Sequence, residues 1–155
     1  MFVNSDFSDL LRIFNANRVK YLVIGGYAVV QYAEPRFTKD LDVWISTDTV
    51  NAEAVYKSLH EFGAPLENLT AKDFSEEGYF FQMGIPPVRV DLLMGIPGAK
   101  FEDCWQRRKE VDFDGLPVSF ISKNDLIAAK RASGRPQDLI DADSLSKMDA
   151  ENDCK

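Results

Sequence analysis

Between Tyr21 and Ile45 the chain reads YLVIGGYAVVQYAEPRFTKDLDVWI. A short apolar run ends in two glycines. An apolar, helix-like segment follows, and then two aspartates one residue apart open a second apolar run. In a strand, alternate side chains share a face, so Asp40 and Asp42 point one way while Leu41 and Val43 point the other. Two carboxylates about 5 Å apart repel by roughly 3 kcal/mol at an effective dielectric near 20. A cation between them turns repulsion into binding, and a hard divalent ion that prefers oxygen ligands suits the pair. Taken alone, the pair also reads as a solvated strand end.

The length of 155 residues fits one domain. An apolar share of 45% and a charged share of 28% can bury a core. No apolar run approaches the roughly 20 residues of a membrane helix, and MFVNSDFSDL lacks the basic and apolar regions of a secretory signal. The two cysteines, Cys104 and Cys154, have no metal-ligand neighbours in sequence. A reducing, cytoplasmic setting without membrane partners is therefore expected. The net charge of −7 argues against a broad nucleic-acid-binding face, though it leaves room for a local basic groove. Residues 1–147 are expected to form the single domain, with the acidic tail MDAENDCK (148–155) fraying beyond it.

Periodicity predicts a first helix from Ser5 or Asp6 to about Asn15, with Phe7, Leu10, Leu11 and Phe14 inward. Strands are expected at Tyr21–Ile24 and Leu41–Ile45, with a helix over Tyr27–Ala33 stopped before Pro35. Thr47 or Asp48 caps a helix to Phe62, closed by Gly63. A short helix near Ala71–Phe74, strands at Tyr79–Met83 and Val88–Leu93, and a helix over Phe101–Arg108 follow. Asp114-Gly115 turns a hairpin between Val111–Phe113 and Leu116–Ile121. Ser122 with Asp125 starts a helix to about Arg131. Pro136 opens a last helix to about Lys147.

Strand, Gly25-Gly26, helix is an arrangement that lets phosphate approach the backbone at a helix N-terminus, and equally a plain tight turn. Asp91, inside the apolar stretch Val88-Arg89-Val90-Asp91-Leu92-Leu93, adds a third acid. An ionised carboxylate there is costly unless a cation or several hydrogen bonds compensate it. Arg89, on the same strand face, is the competing local partner. Three acids on two strand ends can also form the oxygen cage of a two-ion phosphoryl-transfer site.

Together these residues resemble the signature of the polymerase-beta-type nucleotidyltransferases. Ile24-Gly25-Gly26, Asp40-Leu41-Asp42-Val43 and Val90-Asp91-Leu92 follow it in order. Arg36-Phe37-Thr38-Lys39-Asp40-Leu41-Asp42 is similar to the Arg-x-Thr-x-Asp-x-Asp run of small bacterial members of the minimal and abortive-infection-toxin type. Lys130, Arg135, Asp138 and Asp141 resemble their later basic and acidic positions. Many relatives carry Gly-Ser where this chain has Gly25-Gly26, which removes a hydroxyl contact to phosphate.

The resemblance implies an α+β fold, a short mixed, twisted sheet with helices mainly on one face. It implies an enzyme that transfers a nucleoside monophosphate from an NTP to an acceptor hydroxyl, releasing pyrophosphate. Asp40, Asp42 and Asp91 would be catalytic and hold two Mg2+ ions, with Asp91 nearer the acceptor. Gly25, Gly26, Arg36, Lys130 and Arg135 would meet the nucleotide, although the three cations also read as a solvated basic face; Asp138 and Asp141 orient the cations or simply start a helix. The acceptor could be a tRNA end, a protein hydroxyl or a small molecule. The toxin-type likeness adds a toxin role with an antitoxin partner. The alternatives are a non-catalytic nucleotide- or protein-binding module of the same fold, and an antibiotic-modifying adenylyltransferase. His60, Trp44, Trp105, Cys104 and the basic run Arg107-Arg108-Lys109 read as surface or core positions without chemistry.

Overall fold

A computed structural model describes residues 5–33, 40–85 and 89–153, with side chains to 147. The first helix, α1 (Ser5–Ala16), buries Phe7, Leu10, Leu11 and Phe14, the predicted stripe. Strand β1 (Tyr21–Ile24) is buried at every position, as a central strand covered on both faces must be. It runs straight into α2 (Gly25–Tyr32). The two glycines thus belong to the first helical turn, which the sequence reading placed after them. The far end of α2 is tied down by Tyr32, whose hydroxyl donates to the Ile121 carbonyl at 2.6 Å.

Strand β2 (Leu41–Ile45) leads to α3 (Thr49–Phe62), capped by the Asp48 side chain, which accepts from the Asn51 amide, and closed at Gly63. Such a cap is worth about 1 kcal/mol. Ala52, Val55 and Leu59 are its buried apolar stripe, while Phe62 is half-buried. A 3-10 turn at Ala71–Ser75 then buries Phe74. Strands β3 (Phe80–Met83) and β4 (Val90–Leu93) follow, then α4 (Phe101–Gln106), where the ring of Phe101 meets buried Trp44 edge-on at 5.2 Å. The hairpin β5 (Lys109–Phe113) and β6 (Leu116–Phe120) turns through Asp114 and Gly115, both with positive φ, +52° and +90°. That is the primed geometry a two-residue hairpin needs. Helix α5 (Lys123–Ser133) is capped by Ser122, and α6 (Pro136–Asp153) runs on past Lys147.

The six strands form one mixed sheet in the order β3-β4-β2-β1-β6-β5. The α+β expectation holds. Strands β1 and β2 pair antiparallel, whereas β2 and β4 are parallel, with Asp42 beside Asp91. Helix α2 packs on β1 and β2 and touches α6, so the start of α2, the ends of β2 and β4, and the last two helices meet in one region.

Candidate active site

Strand register assembles the site. Ile24 pairs with Asp42, Asp42 with Asp91, and Asp91 with Gln82, giving one row across β1, β2, β4 and β3. One residue pair further along, Leu41 pairs with Val90 and its amide donates to the Arg89 carbonyl at 3.0 Å. Asp40 therefore stands beside Arg89. Because strand side chains alternate, Asp40, Asp42, Arg89 and Asp91 form a two-by-two patch on one face. Leu41, Val43, Val90 and Leu92 fill the core from the other.

The patch is short of positive charge. One Arg89 terminal nitrogen lies 3.1 Å from Asp91 Oδ2 and 3.5 Å from Asp40 Oδ2. Gln82 Nε2 donates to Asp91 Oδ1 at 3.0 Å. Among the described residues, Asp40 Oδ1 and Arg89 Nε are buried without a hydrogen-bond partner. Burial, then the charges of Asp91 and Asp40, push the Asp42 carboxyl up to about 7, and Arg89 offsets only part of this. Gly25 has a φ of +71°, and a Cβ there would collide with the Asp42 carboxylate. Only glycine lets the helix begin this close to the acid. Among the described residues no side chain caps α2 at Ile24, and the first amides of a helix have no partner within it.

One cleft of about 410 Å³ holds these parts, lined by Gly25, Gly26, Asp40, Asp42, Arg89 and Asp91 on one side. Lys130, Ser133, Arg135, Gln137, Asp138 and Asp141 line it on the other. Lys130, only 8% exposed, donates to Asp138 Oδ1 at 3.1 Å and Asp141 Oδ2 at 3.0 Å. Arg135 Nε donates to Asp138 Oδ2 at 2.9 Å, but its side chain is 78% exposed. The two aspartates thus hold the cations in place. Lys130 is held fast between them, and Arg135 stays open to the cleft. Arg36 and Thr38 lie outside the described residues.

Among the described residues no group of three or more His, Cys, Asp or Glu side chains stands ready to hold a metal ion. The guanidinium of Arg89 lies between Asp40 and Asp91 instead. The donor set nevertheless fits a hard divalent cation. It is all carboxylate, carries more negative than positive charge, and keeps one buried oxygen unbonded.

Residues 4–149 match the family described as nucleotidyltransferase of unknown function (DUF6036). The chain belongs to this family. The nucleotidyltransferase shares its fold with solved structures at low identity. The lincosamide antibiotic adenylyltransferase LnuA, with lincomycin bound, is 16% identical with a TM-score of 0.58, over 94% of this chain and 98% of that one. A Thermotoga maritima protein described as a candidate nucleotidyltransferase is 14% identical with a TM-score of 0.59, over 94% and 91% of the two chains. ANT(2'')-Ia, in complex with adenylyl-2''-tobramycin, is 14% identical with a TM-score of 0.55, over 95% and 94%. No curated protein sequence matches the chain.

Gln82, Ser133 and Gln137 escaped the sequence reading. Gln82 was within reach of it, since pairing the β3–β4 hairpin about its turn sets residue 82 opposite 91. The two residues on the α5–α6 side carry no comparable signal. Of the positions expected to lack chemistry, His60 is exposed and Trp44 is buried. The basic run is not simply solvated: Arg107 forms a fork with Asp125 at 2.9 and 3.0 Å, and Arg108 lies 3.8 Å over the Trp105 ring.

Proposed function

We propose that this nucleotidyltransferase moves a nucleoside monophosphate from an NTP to a hydroxyl of a small-molecule acceptor, with a divalent cation bound. The observation that carries the reading is the strand register. It sets Asp42 beside Asp91, with Asp40 next along and the uncapped, glycine-started helix alongside. Asp40, Asp42 and Asp91 would hold Mg2+, which would supply neutralising charge at the phosphoryl group. The amides of Gly25 and Gly26 receive the phosphate chain at the start of α2. Asp91, toward the β3 side, accepts the acceptor's hydroxyl proton. The acceptor oxygen forms a bond to the α-phosphorus, the bond from that phosphorus to the bridging oxygen breaks, and pyrophosphate leaves with the electron pair. The residues of this chain mainly position groups and stabilise charge, as in phosphoryl transfer generally.

The small-molecule class is favoured by the antibiotic ligands of LnuA and ANT(2'')-Ia, whose fold this chain shares over nearly its whole length. The acidic cleft suits a cationic acceptor. A toxin role with an antitoxin partner rests on the sequence resemblance alone.

The test is incubation of the purified protein with α-labelled NTPs, Mg2+ and a panel of aminoglycosides, lincosamides and tRNA. The reading expects label on a small molecule and matching pyrophosphate, both lost in Asp42→Asn. Label on tRNA alone would overturn the acceptor class. A wild type that releases no pyrophosphate with any acceptor would overturn the activity assigned to this site.

A further inference from the structure

We propose that Arg89 is a built-in stand-in for the divalent cation: its guanidinium holds the acid patch together in the metal-free protein and gives up that place when metal and nucleotide bind. The inference rests on the metal reading of Asp40, Asp42 and Asp91 given above.

The placement follows from register. Arg89 immediately precedes β4, two residues before Asp91, and Asp40 immediately precedes β2, so the two stand side by side at the acid face. A single terminal nitrogen bridges the two strands, at 3.1 Å from Asp91 and 3.5 Å from Asp40. The grip is partial. Its Nε is buried and finds no partner among the described residues, and neither does Asp40 Oδ1. The same protein shows what a committed arginine pair looks like: Arg107 meets Asp125 with Nε and a terminal nitrogen, 2.9 and 3.0 Å from its two oxygens. Arg89 forms no such fork. Three acids share one guanidinium, so the patch keeps an excess of negative charge that a hard divalent ion suits.

Arg89 lines the same cleft as Gly25 and Gly26. A guanidinium freed from carboxylates has the donor geometry for phosphate oxygens. The exchange couples the two ligands. Nucleotide phosphates draw Arg89 away and make room for the ion, so each ligand strengthens binding of the other.

Mn2+ binding to the full chain, followed by electron paramagnetic resonance, tests this with and without an ATP analogue that cannot be cleaved between the α- and β-phosphates. Arg89→Met should bind Mn2+ alone about tenfold more tightly than wild type, a difference of about 1.4 kcal/mol. Arg89→Lys should fall between them, and the extra Mn2+ affinity conferred by the analogue should shrink in Arg89→Met. Arg135→Gln, which removes a charge from the same cleft but not from the patch, should change affinity for Mn2+ alone by less than about threefold. Circular dichroism of each variant verifies folding, and Arg89→Lys carries the test if Arg89→Met does not fold. Unchanged or weaker Mn2+ binding in Arg89→Met, or an equal gain in Arg135→Gln, would overturn the proposal while leaving the metal site intact. No Mn2+ binding by any variant, even with the analogue, would instead remove the metal reading itself.

Discussion

Gly25 meets two demands at once, a left-handed backbone and contact with Asp42 at zero side-chain thickness. Gly25→Ala should cost roughly 1–2 kcal/mol for the backbone alone, more once the Cβ displaces the carboxylate, and it should abolish transfer. Urea unfolding and the label assay measure the two effects. Asp42→Asn should separate them. It removes a crowded charge without changing shape, so the metal-free protein should hold or gain stability, while transfer falls by about 10²–10³ or more, the scale of losing one charge-stabilising group. A loss of stability together with a modest loss of activity would argue that Asp42 is structural. At this scale the three acids were legible because a strand has period two, and Arg89 was legible as their competitor. That the guanidinium touches Asp40 and Asp91 together depends on which strands are neighbours, and no local pattern carries that.

Helices and strands were largely readable because their caps and apolar stripes are local. Asp48, Gly63, Ser122 and the Asp114-Gly115 turn act where the sequence placed them. The start of α2 was misplaced because two glycines look like a break, whereas here they continue the strand into a helix. Less visible are the ties between elements. Asn51, buried at 4% exposure, donates to the carbonyls of Ser46 and Lys20 and accepts from the Lys20 amide, pinning α3 to the strand ends. Lys130 does the same for α5 and α6. Lys130→Met should strand two buried carboxylates and cost about 3–5 kcal/mol, read as a lower urea midpoint with no nucleotide present. This joint should also fail in acid. Burial disfavours ionised Asp138, but hydrogen bonds from Ser133, Lys130 and Arg135 outweigh it and hold its carboxyl below the usual range. Its stabilising contribution is therefore whole above about pH 4, where the unfolded carboxyl has also ionised, and fades as pH falls through the lower folded value. Urea midpoints between pH 6 and pH 2.5 should drop more steeply for wild type than for Asp138→Asn.

For the whole molecule, the metal and nucleotide should act as ligands of the folded state only. Mg2+ with a non-cleavable NTP analogue at about 100 times its dissociation constant should add about 2.7 kcal/mol, a rise of several degrees in melting temperature. Asp42→Asn should lose most of that rise. Among the described residues no helix is long and apolar enough to cross a membrane.

The parallel pairing of β2 with β4 also decides which changes of chain length the protein can absorb. The residues between β2 and β3 form a connection whose size does not enter the alignment of Asp42 with Asp91, and lengthening a surface loop costs little. Extra residues inserted there, after Gly63 for instance, should leave catalysis intact. One residue inserted between Arg89 and Asp91 would turn the third carboxylate toward the apolar interior. Homologues of very different lengths could therefore share this centre, provided the variation avoids the short spans from Asp40 to Asp42 and from Arg89 to Asp91.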